Sequence, residues 1–192
     1  ERILVHLSNF RKVKRVADVI RVFHKVRQVI PAKLLLIGDG PERRNAEQLC
    51  RELQLCDDLR FLGKQDAVEE LLAVSDLMIV PSEKESFGLA ALEAFACEVP
   101  VISSNAGGLP EVNIHGETGF LSNVGDVDDM AKNALKIISD PSTLGAFRKR
   151  ALQQAKRFHI DNIIPLYEKY YERVLQKSVY SEERRTELLK EL

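Results

Sequence analysis

Short runs of apolar residues recur along the chain, and within each run the apolar positions do not alternate with polar ones. Strands that are buried on both faces have this pattern, and such strands lie in a parallel sheet between helix layers. The runs that we predict as strands are Ile3–Leu7, Leu34–Ile37, Leu59–Leu62, Leu77–Val80, Val99–Ile102 and Gly119–Leu121.

Apolar residues at helical spacing fill the intervals between these runs. In the segment 15–30 they are Val16, Val19, Ile20, Phe23 and Ile30. Pro41 occupies a favourable first-turn position for a second helix. The other predicted helices are Asp66–Val74, Gly88–Cys97, Asp126–Ser139, Pro141–Arg157 and Ile160–Leu175. The alternation predicts an α/β, Rossmann-like parallel sheet between helix layers, with ligands bound beyond the carboxyl ends of the strands.

The pattern predicts one domain over residues 1–175, with two helices and no strand after Asp140. Residues 176–192 include SEERRTELLKEL and are predicted as a charged helical tail. The chain starts with Glu1 and enters a strand-like run at once, without an initiator Met or a signal peptide. We therefore expect a piece of a longer protein.

Composition excludes several classes of partner. The net charge of −1 provides no global field toward nucleic acid or a membrane surface, and no run approaches the roughly 18 apolar residues of a membrane span. The three cysteines, Cys50, Cys56 and Cys97, form no CxxC motif. We expect buried thiols, no disulfide framework or zinc site, and a cytoplasmic location. The oligomeric state stays open, a homo-oligomer included.

The segment Pro81–Pro100 (PSEKESFGLAALEAFACEVP) follows a predicted strand and leads into a helix at the ligand edge. The first N–H groups of that helix, near Gly88, Leu89 and Ala90, lack intrahelical acceptors. Together with the helix dipole they predict an anion site suited to a diphosphate. Gly88 would let the ligand approach the backbone closely.

Glu93 lies in the same helix, and its neighbours three and four positions away are Leu89, Ala90, Ala96 and Cys97. An isolated carboxylate buried among such groups would be costly. Either a structural partner is present, or the hydroxyls of a ligand ribose donate to this carboxylate.

A second cluster, Ser8–Arg15 (SNFRKVKR), follows the first predicted strand and contains four basic residues within five positions. It is either a solvated basic turn or a phosphate site. Gly38-Asp39-Gly40-Pro41 and Gly107-Gly108 are predicted as tight turns, and Glu111 as a capping or ligand residue.

Glu85 and Glu93, with seven residues between them, resemble the E-x7-E signature of the retaining glycosyltransferase family 4, whose GT-B architecture has two Rossmann-like domains. The match is strengthened by ESFGL, by VPVI, by GGLPEV and by the HGETGF turn, and the resemblance covers residues 1 to about 175. It implies the C-terminal, donor-binding half of a GT-B fold, with the N-terminal acceptor-binding domain absent.

The resemblance also implies roles for particular residues. Glu85 would contact the hydroxyls of the transferred sugar, and Glu93 would hold the ribose. Backbone at Leu62, Lys64 and Gln65 would meet the nucleobase. The residues expected to offer backbone N–H groups to the sugar and diphosphate are Phe87, Gly88, Leu89 and Ala90.

Family members usually place an Arg and then a Lys in the Ser8–Arg15 cluster to hold the diphosphate. Lys14 matches the Lys, but Asn9 stands where the Arg is expected, so Arg11 or, as the alternative, Arg15 would supply the guanidinium. Arg11, Lys14 and Glu85 are therefore the candidate catalytic residues, and no metal or other cofactor is implied.

The implied reaction is transfer of a sugar, with retention, from a UDP-sugar to an acceptor hydroxyl. SNFRKVKR and PSEKESFGL are most similar to a bacterial subgroup that transfers N-acetylglucosamine to L-malate in bacillithiol biosynthesis. The small-molecule acceptor would be bound by the missing domain, so we expect the isolated chain to be inactive. The alternatives are another family 4 transferase, for a lipid, polysaccharide or sucrose-type acceptor, and a non-catalytic nucleotide-binding module.

Overall fold

A computed structural model describes residues 1–190, with side chains to residue 176. Its single sheet has six strands in the order β3-β2-β1-β4-β5-β6, and all neighbouring strands are parallel. The strands are β1 (Arg2–Leu7), β2 (Ala32–Ile37), β3 (Leu59–Gly63), β4 (Leu77–Val80), β5 (Val101–Ser104) and β6 (Gly119–Ser122). Every strand that the apolar runs predicted is present, and the predicted fold class is confirmed.

Helices cover both faces of the sheet. The main core lies between the strands and the layer that contains α1, which packs against α2 and α6, and it includes Phe23, Leu34 and Ile137, all fully buried. On the other face α4 packs against α3 and α5. The helices are α1 (Val16–Arg27), α2 (Arg43–Glu52), α3 (Val68–Ala73), α4 (Leu89–Ala96), α5 (Leu109–Val112), α6 (Val127–Ile138), α7 (Pro141–Arg157) and α8 (Ile160–Lys190).

Some predicted boundaries shift for local reasons. Pro41 lies in a turn, and α2 begins two residues later at Arg43. The strand predicted at Val99 starts at Val101, since Pro100 cannot donate to a sheet ladder. Helix α5 was not predicted, because four residues are too few to show a helical period.

The chain divides into two compact units, the second of which starts at Lys156, whereas the sequence placed the end of the domain at residue 175. In the second unit, α8 continues from Ile160 through the predicted charged tail to Lys190, and residues 191 and 192 lie outside the described part. Tyr167, Tyr170 and Tyr171 are each about 60% exposed.

The cysteines are free, but only Cys50 is buried as expected, while Cys56 is exposed and Cys97 half-buried. Cys50 Sγ lies 3.4 Å from Cys56 Sγ. Among the described residues, no helix is both long enough and apolar enough to cross a membrane.

Candidate active site

The candidate site lies where the strand order reverses, between β1 and β4. The chain leaves β1 toward α1 in one helix layer and leaves β4 toward α4 in the other, so a cleft opens between the two connections. The cleft has a volume of about 310 Å³. Its lining includes eight of the twelve predicted site residues: Asn9, Lys14, Glu85, Phe87, Gly88, Leu89, Ala90 and Glu93.

Two predicted catalytic residues meet in this cleft. A short 3₁₀ turn, Lys12–Lys14, follows β1 and brings Lys14 to the cleft. Lys14 Nζ donates a hydrogen bond of 2.5 Å to Glu85 Oε2, and the two side chains are 22% and 16% exposed. A cation and an anion that are 71 residues apart in sequence therefore form an ion pair at the centre of the site.

The structure separates the two candidate arginines. Arg15 Nε donates to Asp18 Oδ2 at 2.6 Å, and the Asp18 side chain is only 6% exposed. Arg11 is exposed, and no ion pair joins it to any side chain that the structure describes. Neither arginine lines the cleft itself. Because Arg15 is already bonded to a nearly buried carboxylate, the geometry favours Arg11 as the group that can turn toward a ligand.

The start of α4 faces the cleft. Gly88 is the N-cap, with a left-handed backbone (φ 101°) that glycine adopts without strain. Ala91 and Leu92 are the first to donate to the Gly88 carbonyl, so the amides of Leu89 and Ala90 precede the intrahelical hydrogen bonds. These amides lie at the positive end of the helix dipole, where an anion is stabilised.

Glu93 is exposed, so the expectation of a buried carboxylate was wrong. Its apolar neighbours three and four positions away are themselves exposed or half-buried, and two of them, Leu89 and Ala90, line the cleft. Partial burial desolvates the Glu93 carboxylate and raises its pKa. Glu93 also lines a second cavity, of about 390 Å³, between α3 and α4, together with Asp66, Val68, Glu69, Leu72, Ala96 and Cys97.

The predicted nucleobase segment lies near, but not in, these cavities. Gln65 Nε2 donates to the Leu62 carbonyl at 2.7 Å, and Lys64 is exposed. Asp66, the residue that follows, lines the second cavity. The roles of Leu62, Lys64 and Gln65 therefore stay predictions.

The cleft is bordered by two loops, one after β1 that contains Ser8 and one after β4 that contains Glu85. Two glycine-containing turns contact these loops, and the sequence did not reveal this contact. A Cβ atom on Gly38 would lie 1.8 Å from the Ser8 carbonyl oxygen, and one on Gly107 would lie 1.8 Å from the Glu85 carbonyl oxygen. The Gly108 N–H donates to the same Glu85 carbonyl at 2.9 Å. These backbones can touch because Gly38 and Gly107 have no Cβ atom.

Sequence reasoning also missed His6, although a histidine within the apolar run ILVHL was a visible signal. Its side chain is buried, and its two ring nitrogens contact the Ile79 carbonyl oxygen and Ser8 Oγ, each at 2.8 Å. Burial lowers the pKa of His6 to about 4, so the ring is neutral near pH 7.

The described side chains contain no group of three or more metal-ligating His, Cys, Asp or Glu residues. The two carboxylates of the segment Asp126-Val127-Asp128 both make contacts within the protein. Asp126 caps α6 by accepting from the Asp129 N–H at 3.0 Å, and Asp128 pairs with Lys25 at 2.8 Å.

Comparison with known proteins finds relatives of similar sequence. The chain is 49% identical over 177 residues to the N-acetyl-alpha-D-glucosaminyl L-malate synthase of Bacillus anthracis, a match that covers 92% of this chain and 46% of the relative. It is 38% identical over 124 residues to the D-inositol 3-phosphate glycosyltransferase of Rhodococcus opacus, covering 63% of this chain and 28% of the relative. The chain thus spans less than half of the length of these relatives.

Solved structures share the fold. Sucrose-phosphate synthase from Thermosynechococcus elongatus superposes with a TM-score of 0.81 at 29% identity, over 93% of this chain and 46% of that one. HepE of Anabaena, solved in complex with UDP and glucose, gives a TM-score of 0.79 at 26% identity, over 91% and 48%. The family model for glycosyl transferases group 1 matches residues 1–157. The chain therefore belongs to the group 1 glycosyl transferases.

Proposed function

We propose that this chain is the donor-binding half of a retaining glycosyltransferase that uses a UDP-sugar. The observation that carries the proposal is the convergence of Lys14, Glu85, the first amides of α4 and Glu93 on one cleft at the strand reversal. A cation and a helix N-terminus suit a diphosphate, and carboxylates on either side suit the hydroxyls of a sugar and of a ribose. HepE, which has the same fold, was solved with UDP and glucose.

In the proposed complex the diphosphate lies against the Leu89 and Ala90 amides and Lys14. When the bond from the sugar to UDP breaks, negative charge grows on the departing diphosphate. Lys14, the helix N-terminus and Arg11, after a side-chain rotation, would stabilise that charge more in the transition state than in the ground state. The acceptor hydroxyl would give its proton to the leaving phosphate. No metal enters this scheme, because these positive groups would supply the charge.

The ion pair between Lys14 and Glu85 suggests how the site is organised before the donor binds. The ammonium has three donors, so it can keep Glu85 and still donate to a phosphate oxygen. Glu85 would thus be fixed close to the transferred sugar, at the boundary between the sugar and the diphosphate.

We propose N-acetylglucosamine as the sugar and L-malate as the acceptor. The support is the 49% identity to the Bacillus anthracis enzyme over 92% of this chain. The acceptor would be bound by a second domain, which corresponds to the part of the relatives that this chain does not span. A cytoplasmic location is part of the same proposal, and the three free thiols are compatible with it.

Calorimetry with UDP and UDP-N-acetylglucosamine tests the proposal on the chain itself. Lys14→Ala and Glu93→Ala should each weaken UDP binding by about 1.5–3 kcal/mol, the value of a hydrogen bond to a charged group. Lys12→Ala and Glu70→Ala, which alter exposed residues outside the cleft, are the matched controls. Absence of UDP binding by the unaltered chain would refute the proposal, and equal effects of site and control variants would refute the site.

The complete enzyme tests the choice of arginine. Arg11→Ala should lower kcat more than it raises KM, since the charge is needed most as the diphosphate departs. If Arg15→Ala is severe and Arg11→Ala is harmless, the choice of Arg11 is wrong.

A further inference from the structure

His6 occupies a special position in the sheet. The register between β1 and β4 is Leu4↔Leu77 and Val5↔Met78, and one residue further along both strands the His6 ring bridges them by contacting the Ile79 carbonyl oxygen at 2.8 Å. Beyond this point the two strands lead into the loops that carry Lys14 and Glu85. His6 is only 1% exposed and does not line the cleft, but its ring contacts Ser8, which does.

The hydrogen bonds of the ring fix its tautomer. A carbonyl oxygen can only accept, so the Nδ1 atom that faces Ile79 must carry the proton. In the neutral ring Nε2 is then bare and must accept, so the Ser8 hydroxyl donates its single proton to Nε2 over 2.8 Å. The Ser8 oxygen keeps its lone pairs and accepts from the Phe10 N–H at 3.2 Å. We refer to the hydrogen bonds that join Phe10, Ser8, His6 and Ile79 as the relay. Each of these bonds has only one possible donor.

The relay ends on a strained part of the first cleft loop. Phe10 has a left-handed backbone (φ 39°), which is unfavourable for a bulky residue and persists only when its surroundings hold it. Its side chain is fully buried, its ring stacks on His6 with centroids 6.2 Å apart, and its carbonyl accepts from the Glu42 N–H at 2.9 Å. Asn9, between Ser8 and Phe10, is thereby turned outward and lines the cleft.

We propose that His6 is a positioning residue for donor binding: through Ser8 and Phe10 it holds the Asn9–Lys14 loop in a fixed relation to β4 and the Glu85 loop. This inference rests on the proposed function. It also assigns Ser8 a specific part, because a hydroxyl that donates to His6 has no proton left for a phosphate oxygen. Ser8 therefore acts by fixing the loop, and the diphosphate depends on Lys14 and the backbone amides.

The first test is a double-mutant cycle on UDP binding to this chain. His6→Phe keeps an aromatic ring in the buried position but removes both hydrogen bonds, and Ser8→Ala removes one of them from the loop side. Each should weaken UDP binding about tenfold. This loss is somewhat smaller than the loss expected from removing one charge-assisted hydrogen bond of Lys14. The double variant should bind no more weakly than the weaker single variant, because both substitutions break one relay.

Denaturant unfolding of the same proteins separates positioning from general stability. If His6 is merely a core residue, His6→Phe lowers the midpoint of unfolding while the folded chain binds UDP like the wild type, and the proposal is overturned. Effects on UDP binding that multiply in the double variant also overturn it, because independent losses indicate no relay. Should His6→Phe fail to fold, Ser8→Ala alone must still show the tenfold loss.

Nitrogen NMR of the imidazole gives a readout that does not involve UDP. The expected spectrum shows a protonated Nδ1 and a bare Nε2 at pH 7, retained in Ser8→Ala because the bond to Ile79 persists. A protonated Nε2 would overturn the relay. If the unaltered chain shows the expected tautomer but binds no UDP, the proposed function fails and the arrangement of His6 stands.

Discussion

Replacing Gly107 by alanine should disable the cleft without unfolding the protein. The new Cβ would lie 1.8 Å from the Glu85 carbonyl oxygen, 2.9 Å from its carbon and 3.1 Å from the Glu85 nitrogen. An ordinary carbon–oxygen contact needs about 3.3 Å, so the Glu85 backbone must move by roughly 1.5 Å. The hydrogen bond from Gly108 N–H to that carbonyl would be lost with the movement.

The cost in stability has two parts. Alanine at the left-handed φ of 57° costs about 1–2 kcal/mol, and the lost hydrogen bond about 0.5–1.5 kcal/mol. The functional cost is of similar size, because a displacement of about 1 Å at a reacting group can reduce the rate by about 100-fold, which corresponds to about 2.7 kcal/mol. We expect Gly107→Ala to lose about 1.5–3.5 kcal/mol of unfolding free energy and most of the extra affinity that the sugar adds to UDP.

Gly116→Ala is the matched control. Gly116 also has a left-handed backbone, with φ 79°, but a Cβ there would meet no atom within 4 Å. It should show the backbone strain alone, with unchanged binding of UDP and UDP-N-acetylglucosamine by calorimetry. If both variants lose the same unfolding free energy and bind the donor equally well, the close contact between Gly107 and Glu85 does not position the site.

Further predictions concern charge and pH. Glu85→Gln frees Lys14 from its ion pair, so UDP should bind as tightly as before or up to about tenfold more tightly. Turnover of the complete enzyme should fall. A loss of UDP affinity as large as that of Lys14→Ala would contradict this expectation. The raised pKa of Glu93 means that the folded chain holds this proton more tightly than the unfolded chain, so stability is lost as the pH rises through that pKa. Glu93→Gln cannot ionise, and melting curves at several pH values should show a smaller loss, together with weaker UDP binding. The lowered pKa of His6 has the opposite sign: stability falls as the pH drops from about 6.5 toward 4, by up to about 3 kcal/mol, and denaturant unfolding should show that His6→Phe lacks this loss. The 192-residue chain should form no product from UDP-N-acetylglucosamine and L-malate in a chromatographic assay; turnover like that of the complete enzyme would place the acceptor site in this half.

The sheet was predictable because its strands are buried on both faces, and short apolar runs of that kind have few other uses. The rhythm of runs and helical intervals indicated every strand, including β6 with only four residues. Details that depend on single backbone groups were not predictable. Pro41 fits the first turn of a helix, but its neighbours Gly40 and Glu42 contact the backbone of the loop after β1, and α2 starts at Arg43.

The site was predictable as far as it follows from strand order. Lys14 and Glu85 come after neighbouring parallel strands, so their convergence follows from the topology. The burial of Glu93 was misjudged because spacing shows which residues share a helix face but not whether that face meets the core or a cleft. The contacts of Gly38 with Ser8 and of Gly107 with Glu85 join loops that are distant in sequence, and no local pattern encodes them.

The supporting glycine turns have a consequence for motion. The Glu85 loop cannot move toward the Gly107-Gly108 turn, because the two backbones are already in contact, and it cannot move away without breaking the hydrogen bond from Gly108 N–H to the Glu85 carbonyl. Ser8 and Asn9 are likewise in backbone contact with the turn from Gly38 to Gly40. Amide hydrogens on each pair of loops should therefore exchange with solvent as one cooperative unit. Adjustment to a donor would then be left to the side chains of Lys14, Arg11 and Glu85, of which the exposed Arg11 can change rotamer within nanoseconds.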